Sequence, residues 1–292
     1  MKKQTNLINS LYILIPGGFG DNLMATAVVE GIHRQYPDIR IFLLTKRMDI
    51  WLNNPHIVMC YNTRTILKQN PSLHKRAVVL GYRSYSQIRS SSKKQHLVDD
   101  MYDKLPLVIK DRQYHPRIYL TQPEKQYKWR QLQRLPRPLI AVAPYGGWTT
   151  KIQNKFYPLG KWKQLTALLI EAGVTIIQFG RKKEGPVLPG ARSWTNIGYR
   201  RMAAVLLHCD AVITHVGGIM HLATAISVPC VTLYAGVEDP SVSGYEKNLN
   251  LFVPLECSPC WLEKPCADTK CKTLLTPEKV ASETLNLIKK CI

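Results

Sequence analysis

The sequence predicts an α/β protein of two doubly wound parallel-sheet domains, residues 1–135 and 136–292. Three observations carry that expectation. Short apolar, β-branched runs alternate with stretches of helical spacing, which is the pattern of βαβ units and so of parallel sheets. Two glycine turns, at Pro16–Asn22 and His215–Gly218, each follow such a run and head a helix. Pro136-Arg137-Pro138 breaks the chain near its middle, and a new series begins at Leu139. At 292 residues the chain can bury a large core, and two domains are the prior expectation.

Leu11–Ile15 reads as the first strand. It enters Pro16-Gly-Gly-Phe-Gly-Asp-Asn22, and a helix follows with Leu23, Ala27, Val28, Ile32 and Tyr36 on one face. Pro37 ends that helix, and Arg40–Leu44 is the second strand. The glycine loop is not a dinucleotide fingerprint. Counting from Gly18, its third glycine falls on Leu23, and no acidic residue closes the second strand. Val58–Tyr61 and Ala77–Gly81 read as further strands. Arg83–Lys94 is basic and serine-rich, the composition of a loop, and His96–Tyr102 resumes helix. Pro123–Leu135 reads as a charged helix.

The second series opens with strand Leu139–Ala143. Helix Leu159–Ala172 turns Trp162, Leu165, Leu168 and Leu169 inward, with Gly173 as its C-cap. Strand Val174–Phe179, a short strand at Trp194–Ile197 and helix Met202–His208 follow. Val212 and Ile213 lead into Gly217-Gly218, then helix Ile219–Ile226, which stops before Val228-Pro229. Cys230–Tyr234 is the last strand of this stretch. The two domains would face one another across a cleft, each with ligand loops at its carboxyl edge.

Composition narrows the function. The apolar fraction of 45% is that of a globular protein, and no apolar run approaches the length of a membrane span. Met1-Lys2-Lys3 resembles a signal n-region, but Leu11–Ile15 is too short for the apolar region behind it. A cytoplasmic protein is expected. Its net charge of +20 favours anionic partners, such as phosphorylated substrates or the headgroups of an inner-membrane surface touched peripherally. No zinc finger, RNP-type aromatic pair or basic heptad helix is present in the sequence, so no nucleic-acid partner is expected.

The candidate site residues follow from chemistry at these loops. A glycine turn at a helix start leaves N–H groups unpaired at a positive dipole end, a place that binds phosphate. Gly217 and Gly218 supply that start, with Thr214, His215 and His221 at its mouth. Gly146–Lys151, with Thr149 and Thr150, and then Lys155 follow a strand and offer hydroxyls and ammonium to a diphosphate. Glu184 lies beyond Gly180 after a strand, where a ribose hydroxyl pair is a natural partner. Asp21, at the first strand–helix turn, suits both a helix N-cap and a general base. Cys257, Cys260, Cys266 and Cys271 supply four thiols that could close a tetrahedral structural zinc or iron site, with buried or free thiols as the other reading.

Taken together, these residues resemble glycosyltransferase family 9, the heptosyltransferases of lipopolysaccharide cores and their relatives. Gly20-Asp-Asn-Leu-Met-Ala-Thr26 is similar to the family's G-D-x-L-x-x-T, and Thr149–Trp162 to its T-x-x-x-x-K-x-W-P-x-x-x-W. Gly218-Ile-Met220-His221-Leu-Ala223 is similar to G-P-M-H-L-A. The resemblance implies a GT-B architecture of two Rossmann-like domains, the C-terminal one holding a nucleoside-diphosphate sugar and the N-terminal one the acceptor. It implies inverting transfer without a catalytic cofactor. Asp21 would take the acceptor's proton, and Lys155, Thr149 or Thr150 and the Gly218–His221 helix start would stabilise the leaving diphosphate. The expected donor is ADP-heptose, and the acceptor a bacterial surface glycan, the lipopolysaccharide core, or a protein. Where the family has aspartate then serine or threonine before the motif glycine, this chain has Val216 and Gly217. The rival reading is a catalytically silent basic protein that uses the same cleft to hold an anionic glycan or nucleic acid. A nucleotide-sugar epimerase would need a further acid–base pair.

Overall fold

The structure is a computed structural model, and it describes residues 9–145 and 152–291. Thr149 and Thr150 therefore lie outside the described residues. The chain divides into two compact units. One comprises Met1–Tyr82 and Leu97–Tyr119, the other Arg83–His96 and Leu120–Ile292. This moves the boundary expected between 135 and 136. Residues 120–135 belong with the second unit because Arg200 grips Glu124 there, Nη2 to Oε2 at 2.7 Å, and the His208 ring pairs with the Lys125 carbonyl at 2.9 Å. The proline pair ends a helix without ending a unit.

In the first unit, strands β1 (Ser10–Ile15), β2 (Arg40–Thr45), β3 (Met59–Asn62) and β4 (Val78–Val79) form a parallel sheet in the order β3-β2-β1-β4. Helix Phe19–Gln35 buries Leu23, Ala27, Val28 and Ile32, the face its spacing predicts. Its entry is tied by one fully buried side chain, Asn22. The amide donates to the Gly18 carbonyl at 2.8 Å. Its oxygen accepts from the Thr45 hydroxyl at 2.7 Å and the Trp51 indole at 2.9 Å. The glycine turn is thereby fastened to the end of β2.

In the second unit, β5 (Leu139–Ala143), β6 (Thr175–Gln178), β7 (Arg192–Ser193), β8 (Ala211–His215), β9 (Cys230–Leu233) and β10 (Leu249–Leu251) form a six-stranded parallel sheet. Its order is β10-β9-β8-β5-β6-β7. The order reverses between β5 and β8, as in a doubly wound dinucleotide-binding sheet. Every residue of β5, β8 and β9 is buried, as expected of parallel strands covered on both faces. Trp162, Leu165 and Leu169 of helix Leu159–Glu171 share a core with Val280, Ala281 and Ile288 of helix Pro277–Cys291. His215 closes β8 inside that core. Its Nε2 accepts from the Tyr157 backbone at 2.8 Å and the Trp162 indole at 3.3 Å. Burial, with Lys272 and Lys155 nearby, pushes the imidazole down to about 3, so it is neutral.

Three local expectations change. The segment read as a loop holds helix Tyr85–Ser90, started by a capping box: Gln87 N–H to the Ser84 hydroxyl, and Ser84 N–H to the Gln87 side chain at 2.8 Å. The helix expected over Pro123–Leu135 is two, Gln122–Lys125 and Trp129–Gln133, interrupted where Lys128 takes a left-handed φ of 58°. The strand expected at Trp194–Ile197 instead pairs two residues earlier, as β7. Among the described residues, no helix is long and apolar enough to cross a membrane.

Asn22→Leu removes the acceptor for two buried donors. It should lower unfolding stability by about 2–4 kcal/mol, read by urea titration. Stability should also fall with acid. The unfolded His215 binds a proton near its ordinary 6.5, and the folded one only near 3, so its contribution is complete above about pH 6.5 and is lost as pH falls from there. Melting curves should show that slope, to which the equally buried His221 adds, and His215→Gln, which binds no proton, should remove His215's share of it while lowering stability at neutral pH.

Candidate functional site

In an open α/β sheet, ligands bind beyond the carboxyl ends of the strands where the order reverses. Here those ends belong to β5 and β8. After β8, Gly217 takes φ 151° and ψ −159°, a backbone that side chains resist, and lets the chain turn into helix Gly218–Ala225. The first N–H groups of that helix have no intrahelical acceptor, and its N-cap residue, Gly217, has no side chain to cap them. Met220 is fully buried, with the Tyr234 hydroxyl 3.6 Å from its sulfur, so its side chain packs the helix down.

His221 is also buried and pairs through Nδ1 with the Tyr245 hydroxyl at 2.6 Å. Burial pushes it down to about 3, Glu238 opposes this, and His96 and Lys155 reinforce it. A neutral imidazole thus stands in the first turn of a glycine-headed helix, as expected next to a positive dipole end.

After β5 the chain reaches the short 3-10 turn Gln153–Lys155. Lys155 forms an ion pair with Glu238, and the Tyr85 hydroxyl donates to the same carboxylate oxygen. The Lys155 ammonium lies 5.2 Å from the centre of the Tyr85 ring. Burial alone would raise the Glu238 carboxyl, but Lys155, with the Ser243 and Tyr85 hydroxyls, outweighs it and holds the group below its usual range. Glu238, Tyr85 and Tyr245 were not among the residues expected from sequence. For Glu238 a signal existed, a carboxylate just past Gly236 at the end of a strand. Tyr85 was hidden in the segment taken for a loop, although its Ser84-x-x-Gln87 pattern marks a helix start.

Glu184 accepts the Arg181 N–H at 2.9 Å, beneath Gly180, whose φ is 144°. It lines a cavity of about 650 Å³ together with Tyr145, Phe156, Leu159, Cys266 and Lys272. The cysteine segment forms part of that wall. Asn154, buried beside Lys155, fastens it: its amide donates to the Leu262 carbonyl at 3.1 Å and the Lys264 carbonyl at 2.7 Å, and its oxygen accepts from Cys266 N at 3.0 Å.

The four thiols are soft donors of the right chemistry for zinc or iron. Burial raises Cys271, and Cys260 and Cys257 lie near enough to raise it further. Among the described residues, however, no three His, Cys, Asp or Glu side chains are placed to hold one ion. The Cys266 thiol instead donates to the Asp268 carbonyl at 3.0 Å.

Asp21 belongs to the first unit and is half-buried. It is the third residue of its helix rather than the N-cap, which is Gly18. Its Oδ2 accepts the Gly18 N–H at 2.6 Å. A Cβ on Gly17 would fall 2.3 Å from the Asp21 Cγ, so the turn closes on this carboxylate only with glycine there.

The profile of glycosyltransferase family 9 (heptosyltransferase) matches residues 72–271. No curated protein matches the sequence. The fold is similar to that of a glycosyltransferase family 9 protein from Veillonella parvula DSM 2008, at 15% identity and TM-score 0.72, over 97% of this chain and 98% of that one. It is similar to ADP-heptose lps heptosyltransferase II of E. coli, at 18% identity and TM-score 0.68, over 96% and 99%. It is also similar to the iron-containing dodecameric glycosyltransferase TibC of enterotoxigenic E. coli H10407, at 17% identity and TM-score 0.73, over 97% and 77%. The α/β class with two parallel sheets is that of these heptosyltransferase structures. With the profile spanning most of the chain, the protein belongs to glycosyltransferase family 9, the heptosyltransferase family.

Proposed function

We propose that the protein transfers a heptose, with inversion, from ADP-heptose to a bacterial surface glycan, the lipopolysaccharide core, or to a protein. One observation carries the reading: the glycine-headed helix, a neutral His221 and Lys155 meet where the strand order of the second sheet reverses. Such a place offers unpaired N–H groups and an ammonium to a diphosphate. Two solved relatives, E. coli heptosyltransferase II and TibC, are named with ADP-heptose, and E. coli WaaC with ADP-2-deoxy-2-fluoro heptose. The net charge of +20 suits an anionic glycan or a membrane surface touched peripherally.

In this reading the acceptor hydroxyl oxygen bonds to the anomeric carbon as the carbon–oxygen bond to the diphosphate breaks. Asp21 receives the hydroxyl proton. The diphosphate leaves with the bonding electron pair and is stabilised by the helix start and Lys155, with Thr149 and Thr150. Glu184 accepts from ribose hydroxyls in the cavity that it lines. Gly217 and Gly218 admit the diphosphate close to backbone, and Met220 and His221 hold that helix turn in place. No cofactor enters this chemistry. A GT-B architecture of two Rossmann-like domains belongs to the same proposal.

Cys257, Cys260, Cys266 and Cys271 are inferred to hold a structural zinc or iron. Their soft thiols and their common lobe support this, and TibC is named as iron-containing. A metal there would brace the segment that walls the cavity and would take no part in transfer.

Two tests follow. ADP-heptose should raise the melting temperature of the wild type by mass action, and of Asp21→Asn nearly as much, while Asp21→Asn loses about 10²- to 10⁴-fold in transfer rate. Undiminished turnover would remove Asp21 from its role. Failure of every nucleotide sugar to shift melting, with polyanion affinity falling steeply with salt, would favour the silent binding protein. Elemental analysis of anaerobically purified protein should find zinc or iron, and Cys257→Ser with Cys260→Ser should lose it along with thermal stability.

A further inference from the structure

Glu238 lies outside the residues that the motifs bring to the donor site, yet it touches the most important of them. It is 2% exposed, and its Oε1 is shared by the Lys155 ammonium and the Tyr85 hydroxyl. The Lys155 side chain remains 16% exposed, so the pair sits at an edge that solvent still reaches on the lysine side only. Three elements converge on it. The turn Gln153–Lys155 brings the ammonium, the loop after β9 brings the carboxylate, and helix Tyr85–Ser90 brings the phenol. The carboxylate loop is itself fixed. Cys260 N–H donates to the Gly236 carbonyl at 3.1 Å, and Trp261 N–H to the Val237 carbonyl at 3.0 Å. The lysine turn is held by Asn154. Neither partner is free to drift.

Such a pair has an electrostatic consequence for an anionic ligand. A lysine already matched by a buried carboxylate attracts a diphosphate less than a lone lysine would, because the ligand meets the carboxylate's repulsion as well. In return the lysine is held at one place, and its buried stem carries no uncompensated charge.

We propose that Glu238 is a positioning and charge-tuning residue of the donor site: it holds Lys155 against Tyr85 and weakens the site's grip on the nucleoside diphosphate, so that the product leaves after transfer. The proposal rests on the donor-site reading above and deepens it. Lys155 keeps N–H groups beyond the one given to Glu238, and these serve the ligand. Glu238 itself contacts no substrate.

The test is a pair of affinities, for adenosine diphosphate and for uncharged adenosine, measured by calorimetry. Glu238→Gln keeps the shape and a hydrogen-bond acceptor but drops the charge. It should bind adenosine diphosphate about tenfold more tightly and adenosine unchanged, while turnover falls as product release slows. Glu238→Asp, which retains the charge, should return diphosphate affinity to the wild-type level. A merely structural role predicts the opposite sign, weaker binding of both ligands. Diphosphate affinity that is equal or weaker in Glu238→Gln overturns the proposal. Should that variant not fold, Lys155→Met is compared with the double variant Lys155→Met, Glu238→Leu. Removing Glu238 should then restore part of the diphosphate binding that Lys155→Met loses, and no restoration overturns the proposal. A wild type that binds no adenosine diphosphate would instead sink the donor-site reading on which this one stands.

Discussion

The parallel pairing of β5 with β8 is the constraint from which the second unit takes its chemistry. Four residue pairs, Ile140 with Ala211 through Ala143 with Thr214, bring two distant strands side by side. In a doubly wound sheet the crossovers on either side of such a reversal pass to opposite faces, and ligands bind beyond the carboxyl ends between them. The loop after one strand leads to Lys155, and the loop after the other is the glycine head of a helix. His215 reinforces the join, since its ring ties the end of β8 to the backbone of Tyr157 and to Trp162. A residue that looked like part of the site mouth is therefore spent on the scaffold.

Electrostatics in the site work by neutralisation. Two histidines are held uncharged by burial, and a lysine is matched by a buried carboxylate. What the glycine-headed helix offers is fixed dipoles, which need no reorganisation when charge develops on a leaving group. The net charge acts at longer range, in drawing anionic partners toward the surface.

The cysteine segment joins the parts of the site that lie far apart in sequence. Through Asn154 it is bonded to the lysine turn, and through Gly236 and Val237 to the loop of Glu238. Trp261 also packs edge-on against Tyr85, with ring centres 5.2 Å apart. In this structure the segment is held by hydrogen bonds from the Asn154 side chain and from backbone, and by aromatic packing.

What could be read from the residues was set by local rules. Short apolar, β-branched runs marked β1, β2, β5, β8 and β9, period-3.6 spacing marked the helices between them, and the glycine turns marked where a ligand loop had to lie. The motifs named the family because they are local strings. Tertiary structure decided the rest. That Arg83–His96 joins the second unit depends on Tyr85 meeting Glu238 and Trp261, partners more than a hundred residues away whose attraction no local pattern reports. That His215 is scaffold, and that Lys155 is shared with a buried carboxylate, follows from burial and distance. Those exist only once separated strands have been brought together.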